Sequence, residues 1–203
     1  MEYVKNNTIP FHVPGHKKGQ GMWNDFKNFV GTNVLSMDVT VFKQVDSLHK
    51  PTGVIKEAQE LAADAYNVDY TFFSIHGTSG AIQAMIMSVV GPGDKIIIPR
   101  NVHKSVTAGI ILSGAVPVYM QPEIEETIGV ALNVTPETVK NALEANPDAK
   151  AVLIVNPTYY GVSTDIERIV EIVHSYDIPL IVDEAHGAHL HFNKKLPISA
   201  VDA

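Results

Sequence analysis

The sequence has 203 residues, 45% of them hydrophobic and 18% charged, which suits one globular domain with a buried core and excludes wholesale disorder. A formal charge of −7 argues against binding a nucleic-acid backbone, and the lack of cysteine excludes disulfides, thiol catalysis and cysteine-based zinc sites. No apolar run reaches the roughly 18 residues of a membrane span, and MEYVKNNTIPFHVPGHKKG has no apolar h-region, so a soluble, cytoplasmic protein is expected.

Along the chain, residues 1–50 read as an irregular N-terminal segment, rich in Gly, Lys and His between His12 and Gly21. In VIKEAQELAADAYNV, Ile55, Ala58, Leu61, Ala62 and Ala65 recur at helical spacing. Thr71–Ile75 (TFFSI) reads as a strand, and Ala81–Val90 as a helix stopped by Gly91-Pro92-Gly93. Lys95–Pro99 is strand, Lys104–Gly114 helix and Ala115–Met120 strand. Thr135-Pro136-Glu137 opens a helix running to Asn146, with a capping hydroxyl and Pro at the first helical position. Ala151–Val155 is strand, Asp165–Tyr176 helix and Ile178–Asp183 strand.

Strands and helices thus alternate from Thr71 to Asp183, and the strands are unbroken apolar runs. That pattern predicts an α/β fold with a mostly parallel sheet covered by helices on both faces. Ligands of such sheets sit beyond the carboxyl ends of the strands. Four polar segments fall there: His76–Gly80, Arg100–His103, Asn156–Tyr160 and Asp183–His186.

Gly77-Thr78-Ser79-Gly80 follows one strand and opens a helix, whose free N–H groups and positive dipole end suit an anion. A flexible turn with a Ser/Thr cap is the alternative for these residues alone. No G-x-x-x-x-G-K-[ST] loop occurs. Asp183 ends a buried strand, where a carboxylate needs a cationic partner such as a protonated ring nitrogen, or else caps a neighbouring loop. Glu184 is expected to face the other way. His103 could stack on a flat ligand or be an ordinary hydrogen-bonded loop residue. His186, His189 and His191 form H-x-x-H-x-H, but an extended segment would split them between faces. No metal site is expected, and only His186 is placed at the site.

Taken together, PFHVPGHKKG, SMDVT, SLHKPTGVIKEAQELAADAY, HGTSGAIQAMIMSVVGPGDKIIIPRNVHKSV, VNPTYYGVSTDIERI and IVDEAHGAHLHF resemble the Orn/Lys/Arg decarboxylase family of fold-type-I pyridoxal-phosphate enzymes. The resemblance runs from about Ile9 to about Ala200, in family order. It implies pyridoxal 5'-phosphate as cofactor, a basic amino acid (lysine, arginine or ornithine) as substrate, and a homo-oligomer, at least a dimer. It also implies site residues. Gly77, Thr78 and Ser79 would hold the phosphate, and His103 would stack on one ring face with Ala185 under the other. Asp183 would pair with the ring nitrogen, His186 would lie near the reacting centre, and Thr158 near the phenolic oxygen. Asp183, His186 and His103 are the catalytic candidates.

The family's Schiff-base lysine belongs to a Ser-x-His-Lys-like segment downstream of the Asp183 strand. Lys194 and Lys195, in LHFNKKLP, do not match it. Residues 51–203 are therefore expected to be a partial large domain without its C-terminal domain, inactive alone. Other expectations compatible with these residues are a different fold-type-I enzyme (aminotransferase or aldolase) and a non-catalytic interaction protein. Asp183-Glu184-Ala185-His186 also spells a helicase DEAH box, but the missing phosphate loop and the acidic charge oppose that.

Overall fold

Four runs dominated by Val, Ile and Leu form a parallel sheet in the computed structural model, which describes residues 2–5 and 8–203. They are β1 (Lys95–Pro99), β2 (Val116–Met120), β5 (Ala151–Val155) and β6 (Leu180–Asp183), in the spatial order β2-β1-β5-β6. Between β2 and β5 lies a short antiparallel hairpin, β3 (Ile124–Glu125) with β4 (Val130–Ala131). Ile97 of β1 is in register with Val118 of β2 on one side and Val152 of β5 on the other. Val155 pairs with Asp183, so β5 and β6 end level with one another.

Alternation along each strand feeds two cores. Ile96, Ile98, Ala151 and Leu153 point to one face and pack with Ile82, Ile86, Val106 and Ile110. Those partners come from α5 (Gly77–Val89) and α6 (Lys104–Ser113). Ile97, Val152 and Ile154 point to the other face and pack with Val139, Leu143, Ile166, Ile169 and Val173. These belong to α7 (Pro136–Ala145) and α8 (Ile166–His174). A strand buried on both faces has no place for a polar residue, which is why the runs are continuous. Caps set the helix starts: Thr135 accepts the Thr138 N–H at 3.1 Å, and Asp165 accepts the Arg168 N–H at 3.2 Å.

The chain divides into two compact units, Met1–Phe73 and Ser74–Ala203, the second holding the sheet. The first unit contains α1 (Glu2–Lys5), α2 (Asn24–Val30), α3 (Thr32–Met37) and α4 (Val54–Tyr66). Its buried positions among the described residues are Pro10, Gly19, Leu35 and Ala63. Part of the segment expected to be irregular is thus helical, in pieces too short for a periodicity signal; Met1, Asn6 and Asn7 lie outside the described residues. By compactness the division falls at Phe73, later than the position near residue 50 read from the sequence.

Thr71–Ile75 corrects an expectation. It carries strand-like residues but pairs with no strand among the described residues, leaving Phe72 and Ile75 exposed. A strand needs a ladder partner as well as a suitable composition. No helix of the described residues is long and apolar enough to cross a membrane.

Candidate active site

The chain passes from β1 outward to β2, then returns across β1 to β5 and β6, so the direction of winding reverses between β1 and β5. Loops leaving adjacent strands in opposite directions open a crevice at that point. All four polar segments contribute to one cavity of about 470 Å³ there, within the second unit.

The N-terminus of α5 forms one wall, with Gly77, Thr78 and Ser79 lining the cavity. No partner takes the Thr78 and Ser79 amides among the described residues, while the Gly80 N–H already reaches the His76 carbonyl at 3.4 Å. His103 lines a second wall and caps α6: its Nδ1 accepts the Ser105 N–H at 3.2 Å and contacts Ser105 Oγ at 2.8 Å. With Nδ1 accepting, the neutral ring carries its proton on Nε2.

Asp183 also lines the cavity. It is 5% exposed, accepts the Ala185 N–H at 3.2 Å through Oδ1, and forms no ion pair among the described residues. A carboxylate held so deeply with so little compensation calls for a cation. Ala185 and His186 follow it along the rim. The His186 ring meets Tyr159 edge-on, centroids 5.8 Å apart, and Tyr159 meets Tyr160 in the same way at 5.4 Å. Gly187 makes this turn possible. A Cβ there would sit 2.8 Å from Pro157 Cδ and would clash with Glu184 Cγ. Glu184 turns from the cavity to accept the Ser199 hydroxyl at 2.8 Å and the Ala200 N–H at 3.0 Å, anchoring the following segment.

Seven of the eight residues expected at the site therefore line it: Gly77, Thr78, Ser79, His103, Asp183, Ala185 and His186. Thr158 does not. It is buried, its Oγ1 accepts the Val162 N–H at 3.3 Å and its own N–H donates to the Val162 carbonyl, so it helps to close a turn. His76, Ile82, Asn101, Val155 and Tyr159 also line the cavity and were not singled out. His76, Asn101 and Tyr159 belong to the rim segments, so strand ends were the available signal. His191 pairs with Asp202 at 2.8 Å, away from His186's ring contact.

The whole chain, residues 1–203, matches the family model described as Orn/Lys/Arg decarboxylase, major domain. A Bacillus anthracis protein named arginine decarboxylase is 57% identical over 203 residues, which cover 100% of this chain and 41% of that protein. Lysine decarboxylase LdcA of Pseudomonas aeruginosa is 31% identical across 96% of this chain and 28% of its own length. The solved constitutive lysine decarboxylase of E. coli superposes with a TM-score of 0.79 at 26% identity, over 94% of this chain and 28% of that one. The chain thus spans less than half the length of these relatives, and it belongs to the Orn/Lys/Arg decarboxylase family.

Proposed function

We propose that this member of the family binds pyridoxal 5'-phosphate in the cavity between β1, β5 and β6 and serves the decarboxylation of a basic amino acid. The carrying observation is Asp183, a carboxylate 5% exposed, facing the cavity without a cation. A protonated pyridine nitrogen supplies the missing charge, and the α5 N-terminus at the other wall supplies donors for a phosphate. The chemistry of the lining suits the cofactor: a carboxylate for its ring nitrogen and amide and hydroxyl donors for its phosphate.

When bound, the cofactor supplies an electron sink for the carbanion left by loss of carbon dioxide. The chain's own groups would hold and tune it, while neither Lys194 nor Lys195 matches the Schiff-base lysine of the family. Asp183 holds a proton on the ring nitrogen, which keeps that sink strong as charge develops. The amides of Thr78 and Ser79, with their hydroxyls, fix the phosphate end. His103, hydrogen-bonded to Ser105, would cover one face of the flat ring, and Ala185, with only a methyl group, would leave room at the other. His186, whose ring meets Tyr159, would deliver a proton to the substrate carbon. A basic substrate is supported by the names of the relatives, which include arginine, lysine and ornithine decarboxylases. The exposed apolar side chains Ile111 and Leu112 support a homo-oligomer.

The test is carbon dioxide release from arginine, lysine and ornithine, with added cofactor, by a full-length protein that carries residues 1–203, since this chain is expected to be inactive alone, compared with Asp183→Asn. The substitution should lower turnover by about a hundredfold or more, the scale of losing a preorganised charge. No release from any of the three substrates would refute the function. Near-normal turnover by Asp183→Asn would remove the residue from its role.

A further inference from the structure

Resting on the pyridoxal-phosphate site above, we propose that His76 is a phosphate-binding residue, its ring N–H donating to the anion held at the N-terminus of α5. His76 lines the same cavity as Thr78 and Ser79 and immediately precedes that helix. Its backbone is held at both ends. The N–H donates to Ser74 Oγ at 3.3 Å, and the carbonyl accepts the Gly80 N–H at 3.4 Å.

The imidazole itself is unengaged. Thr135, Asp165 and His103 each cap their helices with a side-chain acceptor, whereas His76 makes no capping bond. No hydrogen-bond partner contacts its ring among the described residues. Space for the side chain comes from Gly80, where a Cβ would lie 2.7 Å from His76 Cβ and 3.3 Å from Ser74 Oγ. The missing side chain one turn into the helix lets the histidine lie against that turn.

Charge singles out the same residue. No lysine or arginine lines the cavity among the described residues, so imidazoles are its only side chains able to carry positive charge. His103 is held by Ser105, and the His186 ring contacts Tyr159. His76 remains, beside the free amides that suit an anion. A hydrogen bond to an ionised acceptor is among the stronger kinds.

Equilibrium titrations of cofactor-free protein with pyridoxal phosphate and with pyridoxal separate the possibilities, using wild type, His76→Ala and His76→Asn. His76→Ala should weaken pyridoxal phosphate about tenfold and pyridoxal less than about twofold, because only the first carries the anion. His76→Asn keeps an N–H donor and should recover part of the loss. Equal losses for both ligands, or no loss for either, would overturn the assignment. Failure of the wild type to bind pyridoxal phosphate would instead overturn the cofactor site on which the assignment rests.

Discussion

His103 serves two tasks with different chemical demands. As cap of α6 it needs an acceptor for the Ser105 N–H; as the proposed cover of the cofactor ring it needs a flat π surface. Substitutions can part the two. His103→Asn supplies a capping acceptor without a ring, so it should keep the thermal stability of the protein and lose cofactor affinity. His103→Phe should do the reverse, forfeiting roughly 1 kcal/mol of capping while keeping a stacking contact worth roughly 0.5–1.5 kcal/mol. Melting curves and cofactor titrations of both variants read the two effects. Equal cofactor affinity in the Asn and Phe variants would show that stacking does not matter. Both His103 and Asp183 were visible from sequence because each follows an apolar run. Thr158 follows one too, yet it does not line the cavity, and nothing in NPTYYG foretells the turn in which its Oγ1 accepts the Val162 N–H.

At the scale of elements, one carboxylate organises the entry to α4. Asp46 accepts backbone N–H groups from Ser47 at 2.8 Å, Thr52 at 3.1 Å, Gly53 at 2.8 Å and Ile55 at 3.1 Å. Desolvation pushes its pKa up, but the backbone bonds from Gly53, Ser47, Thr52 and Ile55 outweigh it and hold the carboxyl well below its ordinary 3.8. A pKa depressed by folding means that the stabilising contribution is complete above the unfolded value and is lost as pH falls through the folded one. Amide exchange at Gly53 and Ile55 should therefore lose protection progressively below about pH 4, and Asp46→Asn should show weaker protection without that acid dependence. An unchanged pH profile in the variant would exclude Asp46 as the titrating group. None of this was legible in advance, because the acceptor and its donors are joined by loop geometry rather than by periodicity. The same holds for the β3–β4 hairpin, whose strands are two residues long. By contrast, β1 and β5 were legible because burial on both faces forces several consecutive apolar residues, while the edge strand β2 keeps an apolar run although Val116 and Tyr119 are exposed.

For the whole molecule, the parallel sheet followed from strand–helix alternation, but the order β2-β1-β5-β6 did not, since any strand of this kind can neighbour any other. The order matters because the winding reversal between β1 and β5 opens the crevice. It gathers loops from three strands and the starts of α5 and α6 around one cavity, so a ligand there ties together segments far apart in sequence. A ligand that binds only the native state stabilises it by about 2.7 kcal/mol at a hundredfold excess over its dissociation constant. For a unit of this size that corresponds to a rise in melting temperature of about 5–10 °C. Pyridoxal phosphate at that excess should produce the rise. Amide exchange should slow at Thr78, Ser79 and His186, the places where the cavity meets backbone, and hardly change at the far ends of the strands, around Lys95 and Ala151. Pyridoxal at the same concentration should give a smaller rise, since it leaves the α5 terminus without an anion. A melting temperature unmoved by saturating pyridoxal phosphate, or protection that appears away from the strand carboxyl ends, would place the cofactor elsewhere or nowhere in this chain.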